Sequence, residues 1–388
     1  MECSVSIIAS LTDFEGFIPE WKALLETGEF ESNFYQHPDV LRLMLENPEA
    51  SLHPCIVVVR RGGRVSCIAP LYAQASRFDL MLSVLRVASW PVRLLRIAGD
   101  EFICRTGEPS HDSIDAVFRI LQSRAPAFDL IRVFSLGMSG PLWTYFQSEK
   151  HHDYAVVASS SEPEKIIQAR LGSDYREYLA SLNGRVRQKL LRRSRDFWSH
   201  SKGTAQLVKV TDADQVERFL ADVDAVYAQS WQSKTYGPLI RSTPGQIAYF
   251  AGIAKKGWLR SYVLKAPDPV AFVIGYQFGG IYHYDETSYD QRWADSGPGA
   301  VLTQQLIEDL FRSNTPATLD FGIGDGQYKR TLGNVEDAAC AAYIVPRNRW
   351  RALLAVQRTL NRVYETTRSA LIRLHLDARV RRIVKRRS

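Results

Sequence analysis

Two stretches of the chain carry paired β-branched runs around a turn. Residues 55–73, CIVVVRRGGRVSCIAPLYA, read as strands about Gly62-Gly63, and residues 261–278, SYVLKAPDPVAFVIGYQF, read likewise about Pro267-Asp268-Pro269. Each hairpin precedes further strand-like sequence and then a helix, DSIDAVFRILQSR at 112–124 and AVLTQQLIEDLFRS at 300–313. Leu302, Leu306 and Leu310 fall on one face of the second helix, which predicts their burial. Each helix leads through a proline-containing loop into one more strand, FDLIRVFSL at 128–136 and TLDFGIG at 318–324. The shared order of hairpin, strand, helix and strand predicts a duplicated α/β (α+β) unit. Sequence identity between the halves is negligible, so element order alone carries that expectation.

The polar stretch ASSSEPEK at 158–165 places a boundary near residue 160. It divides an N-terminal lobe, 1–160, from a C-terminal lobe, 161–346. The second lobe opens on a basic helical segment, SDYREYLASLNGRVRQKLLRRSRDFW at 173–198, with Ser173 as its expected N-cap. A third part, 347–388, repeats Leu353, Val356, Leu360, Val363, Leu371 and Leu374 at helical spacing with arginines between them. It reads as an amphipathic basic helix from 349 to about 376, followed by an arginine-rich tail.

Charge sharpens this division. The 388 residues are 45% hydrophobic and 23% charged, a globular composition. The formal net charge of +7 invites a nucleic-acid reading. Residues 347–388, however, hold 13 Lys or Arg against Glu365 and Asp377 and so contribute +11, leaving −4 for the other 346. The five cysteines show no C-x-x-C pair and no nearby histidines, which argues against a disulfide framework or structural zinc. The N-terminus lacks a signal-peptide pattern, and Arg86, Arg93 and Arg96 break the most apolar stretch. A cytoplasmic protein is expected; the basic helix suggests the inner face of the membrane as a further address and fits equally a helix that packs its leucines on the second lobe.

Candidate chemistry concentrates at 281–330. The strand IYHYDETSY runs into a loop ending Ser296-Gly297-Pro298-Gly299-Ala300, where a helix starts at once. Glycines there let a ligand approach the backbone, and the free amides of a first turn attract phosphate. The same residues also fit an ordinary strand-to-helix turn. Alternation along the strand puts His283 and Asp285 on one face and Tyr284 and Glu286 on the other. Further on, Asp320-Phe321-Gly322-Ile323-Gly324-Asp325-Gly326 precedes Tyr328-Lys329, a phenol able to donate a proton beside an ammonium able to hold an anion. A glycine turn followed by a solvated pair is the plainer reading of that segment.

The strand with Tyr289-Asp290, the Ser296–Gly299 loop, Asp320-Phe321-Gly322 with Tyr328-Lys329, and the basic helix with Leu182, Arg185, Lys189, Arg192, Arg193 and Arg195 resemble one family. They are similar to the acetyltransferase-type (BioF2-like) domain of CelD/BcsL-like proteins, in the GNAT superfamily and related to the FemABX transferases. The resemblance is specific over about 175–332. It implies tandem GNAT-like lobes and transfer of an acyl group from acetyl-CoA or another acyl-CoA, with no metal, to an amine or hydroxyl of a cell-envelope or exopolysaccharide precursor.

Within that resemblance, Asp285 or Glu286 would be the base, Tyr328 the acid and Lys329 an anion holder, with a lesser claim for His283. Ser296, Gly297, Gly299 and Ala300 would cradle the pyrophosphate. Ala294 stands where the family carries Gln or Arg, and Arg292, two residues earlier, is close enough to serve as the cofactor-binding arginine. Arg185, Lys189, Trp231, Lys234 and Tyr236 are candidates for the acceptor, although Tyr227 and Trp231 read first as core aromatics and the arginines as a solvated face. Phe34-Tyr35-Gln36-His37-Pro38 resembles the first-lobe opening of these proteins and is assigned no chemistry. Two other functions fit the resemblance: Fem-like transfer from aminoacyl-tRNA, and a degenerate fold that partners a membrane polysaccharide synthase through 347–388.

Overall fold

The computed structural model describes residues 2–82, 85–123, 128–148, 154–158, 163–201, 203–324, 326–346 and 349–373. The expected boundary at 159–162 and the tail beyond Arg373, Leu374 included, lie outside them. The chain forms two compact units, neither continuous in sequence: Met1–Glu31 with Leu52–Pro163 and Ala339–Ser388, and Ser32–Ser51 with Glu164–Ala338.

In the first unit the hairpin at Gly62-Gly63 forms as expected, both glycines having positive φ. It belongs to an antiparallel four-stranded sheet, Cys3–Ile8, Ile56–Arg61, Arg64–Ala69 and Ile103–Cys104. The apolar stretch broken by arginines becomes Leu85–Ile97, paired along its length with Leu71–Leu82. Leu85–Ile97 then pairs in parallel with Leu130–Gly137 at Leu94↔Leu130, Leu95↔Ile131 and Arg96↔Arg132. Helix His111–Ser123 lies between those two strands in sequence and buries Ile114, Val117, Phe118 and Leu121.

The second unit has the same crossover, but its hairpin lies in the same sheet as that crossover. Strands Gln206–Val210, Ser261–Lys265, Pro269–Phe278 and Ile281–Tyr289 are antiparallel. Ile281–Tyr289 then pairs in parallel with Thr318–Ile323 across the connecting helix Pro298–Arg312, and Glu164–Arg170 pairs antiparallel with Thr318–Ile323. Leu302, Leu306 and Leu310 are fully buried, as their spacing predicts. Burial of such a side chain is worth about 1.5–3 kcal/mol, so the three pin this helix to the sheet. Each unit therefore holds the parallel strand–helix–strand crossover that element order suggested.

Two local expectations are corrected. The basic segment 173–198 is two helices, Tyr175–Ser181 and Gly184–His200, because Asn183 accepts a hydrogen bond from the Arg185 amide at 3.0 Å and restarts the helix. The first of them is capped by Asp174 rather than Ser173, through the Arg176 amide at 2.6 Å. The sheet of the second unit is covered on both faces. Helices Gly184–His200 and Pro298–Arg312 pack on one core, while Val216–Ala228, Pro244–Lys255 and the early segment with Phe34 and Val40 pack on the other.

Candidate functional site

The site is built on the strand Ile281–Tyr289, whose pairing is interrupted. Gly275 faces Tyr284 and Ile274 faces Glu286, which leaves Asp285 as the extra residue of a β-bulge. The bulge reverses the alternation beyond it. Tyr284 reaches the glycine-led helix, its hydroxyl 3.0 Å from Thr303 Oγ1. Glu286 does not follow Tyr284 as strict alternation requires. It points to the other face and forms an ion pair with Arg241 at 2.9 Å. Both acids therefore stand on the side of helix Val216–Ala228, whose Asp224 holds the Arg241 and Ser242 amides at 2.6 and 2.9 Å.

Parallel pairing with Thr318–Ile323 stops at His283↔Asp320. Beyond that point the two strands are no longer paired at their carboxyl ends, the usual ligand position in parallel α/β sheets. Asp285 lies two residues past the last pair. Its carboxylate accepts a hydrogen bond of 2.5 Å from the hydroxyl of Tyr35. Desolvation by the surrounding protein pushes the Asp285 carboxyl above the ordinary carboxylate range, the Tyr35 bond opposes that shift, and Glu286 adds to it. The residue itself is exposed to water. Tyr35 is held in turn, its ring 5.9 Å from His283 and 5.2 Å from Phe34. Desolvation and the neighbouring carboxylate push its hydroxyl well above the usual phenol value, so it remains a donor.

His283 is buried on the same face, with Nδ1 3.9 Å from Asp320 and its ring 5.9 Å from Phe34. Burial lowers its pKa, so the imidazole is neutral near pH 7. Asp320 also accepts the Gly322 amide at 2.8 Å. Tyr328 and Lys329 are half-buried, not solvated. Tyr328 lies against Tyr284 and Phe321, at 5.9 Å from each ring, and burial raises its hydroxyl pKa. Lys329 donates to Ile323 O at 2.7 Å, which closes the glycine turn, and desolvation lowers its pKa.

On the opposite face, Gly297 adopts a left-handed conformation at φ 62°, ψ 47° and turns the chain into the helix Pro298–Arg312. Arg193 of the basic helix lies over this turn, its Cδ 3.4 Å from where a Gly297 Cβ would stand. Tyr289 flanks Gly299 in the same way at 3.4 Å. Ser296 and Ala300 are half-buried beside the turn. Arg292 is exposed and engaged by Asp290 at 2.6 Å.

The acceptor candidates separate. Tyr227 is core, as expected of a helical aromatic, but Trp231 is not: it is 44% exposed and its ring lies 6.0 Å from that of Tyr236, which is 74% exposed. Their short helix, Trp231–Tyr236, is fixed to the bulged strand by Gln232, which donates to Thr287 O at 3.2 Å and accepts from Ser288 Oγ at 2.8 Å. Lys234, Arg185 and Lys189 are exposed. Sequence reasoning missed Tyr35 and Arg241. Tyr35 lies 250 residues from its partner, and no local pattern marks it. Among the described residues, no group of three His, Cys, Asp or Glu is placed to hold a metal ion.

Residues 184–330 match the family described as acetyltransferase (GNAT) domain, which spans the basic helix, the bulged strand, the glycine turn and Tyr328-Lys329. No curated protein sequence matches significantly. The crystal structure of FemX superposes with a TM-score of 0.56 at 10% identity, covering 90% of this chain and 98% of that one. A tandem GNAT protein from the clavulanic acid biosynthesis pathway gives 0.51 at 11% identity, covering 89% and 99%. L-PGS from Bacillus licheniformis gives 0.50 at 12%, covering 88% and 96%. At such identities the likeness is one of fold, and the fold is the tandem GNAT-like α/β arrangement.

Proposed function

We propose that the second unit, which carries the GNAT acetyltransferase domain, transfers an acyl group from acetyl-CoA or another acyl-CoA to an amine or hydroxyl of a cell-envelope or exopolysaccharide precursor. The observation that carries this reading is the pairing of a left-handed Gly297 turn with Arg193 at the start of the helix that follows the Asp285 strand. In this reading the amides of Gly299 and Ala300, with Ser296 beside them, cradle the pyrophosphate on the positive end of the helix, and Arg193 adds a guanidinium. Arg193 thus takes the part that family resemblance gave to Arg292, which is engaged by Asp290.

The transfer is direct. The acceptor nitrogen or oxygen bonds to the thioester carbonyl carbon and its proton passes to Asp285. The carbon–sulfur bond breaks and the thiolate takes a proton from Tyr328, which is re-protonated from water. Asp285 is the better base of the two acids, because Glu286 is held by Arg241 while Asp285 combines a raised pKa with an open surface. The exposed pair Trp231 and Tyr236, with Lys234 beside them, suits a sugar ring carrying phosphate. That pairing supports a glycan precursor as acceptor.

Isothermal titration with acetyl-CoA tests the donor: binding is expected, and it weakens at least tenfold in Arg193→Ala. Absence of binding for acetyl-, succinyl- and longer acyl-CoAs overturns the reading, and retention of charged tRNA instead would replace the donor. Survival of cellular function in Asp285→Asn would make the fold a binding partner and not an enzyme.

A further inference from the structure

We propose that the first unit docks on an anionic lipid surface, through the end of the hairpin Leu71–Leu82/Leu85–Ile97 and the outer part of the C-terminal helix Arg349–Arg373. The start of the helix is packed. Trp350 and Leu354 are buried in a small core with Phe78, Val92, Leu130 and Val345, and Trp350 donates to Asp129 at 3.0 Å. One turn later Gln357 ties the helix to the hairpin end, accepting from the Met81 amide at 2.6 Å and donating to its carbonyl at 2.9 Å.

Beyond Gln357 the helix runs a further 16 residues. At 1.5 Å per residue that is about 24 Å, and Arg362 and Tyr364 on it are exposed. Of the apolar repeat along it, Val356 and Val363 are 47% and 55% exposed. The hairpin end beside it is apolar as well. Leu82 pairs with Leu85, and Leu85 and Val87 are 64% and 55% exposed with Arg86 between them. Single exposed apolar residues are ordinary. Grouped near the end of one hairpin around an exposed Arg86, they match the layered chemistry of a bilayer interface. Apolar tips enter the acyl boundary, while guanidinium groups stay at the phosphates.

Charge settles which partner fits best. The +11 of residues 347–388 calls for an extended anionic surface, and each basic residue near such a surface strengthens binding about fivefold. No helix among the described residues is long and apolar enough to cross a membrane, so contact at the surface is the form available to them.

The test is co-sedimentation of the full chain with vesicles of phosphatidylcholine alone or mixed with phosphatidylglycerol. Binding to the mixed vesicles at least tenfold tighter than to neutral ones, and weaker in high salt, is expected. The pair Leu82→Ser/Leu85→Ser and, separately, Arg362→Glu should each weaken it several-fold with an unchanged circular dichroism spectrum. Equal binding to both vesicle types, or none, overturns the proposal. So does a dimer in solution that Leu85→Ser dissolves without any vesicle binding, which would make this face a contact between copies.

Discussion

Asp285 owes its position to having no partner across the sheet. A paired residue there would alternate with its neighbours, whereas the bulge places it beside both Glu286 and Tyr35. Two predictions follow the protons. Asp285→Asn should lower kcat by about 10²–10⁴-fold, the usual worth of a general base, with little change in acyl-CoA affinity. The acid limb of kcat/KM should lie above the ordinary carboxylate range, since desolvation raises this carboxyl. Tyr35→Phe removes a hydrogen bond that favours the ionised form, so the limb should move to still higher pH. A limb that stays or moves down in that variant would take the base role away from Asp285. Glu286 and Arg241 show how much of this was hidden in the sequence. Strict alternation put Glu286 with Tyr284, and only the register of two strands reveals the reversal.

The helices behave more as their patterns suggest. Leu302, Leu306 and Leu310 bury as spaced, and Leu306→Ala should cost about 2–5 kcal/mol in chemical unfolding, chiefly through the cavity left behind. Gly297→Val adds a Cβ at positive φ and pushes it toward Arg193. It should weaken acyl-CoA binding more than tenfold while leaving the far-ultraviolet spectrum intact. A cap in the first unit supplies a pH signature. Glu101 accepts the Leu142 amide at the start of helix Pro141–Gln147, and desolvation raises its carboxyl from 4.5 to about 7. Its folded form prefers the proton, so its contribution is present below about pH 4.5 and is lost as the pH rises through about 7. Thermal unfolding should show a fall in stability from about pH 5 to about pH 8 that is smaller in Glu101→Gln.

Across the whole chain, the proposed donor site falls in one half of the duplication, the half that matches the GNAT domain. The helix of the first unit follows Thr106-Gly107-Glu108-Pro109-Ser110, where Glu108 lies 3.6 Å from Arg105, and a carboxylate at such a turn repels a phosphate. Titration should therefore give one acyl-CoA per chain, and a stoichiometry of two would assign a donor site to each unit. The amino-acid sequence by itself determined the alternating and helical stretches, the duplicated order, the glycine turn and the concentration of charge in 347–388. Each of these follows from residues within a few positions of one another, where backbone geometry and side-chain spacing act directly. Tertiary structure decided the rest: the bulge at Asp285, the placement of Tyr35 against it, Arg193 over Gly297, and the assignment of Ser32–Ser51 to the second unit. Those features arise from strand register and from packing between segments as many as 250 residues apart, and neither is encoded in a local pattern.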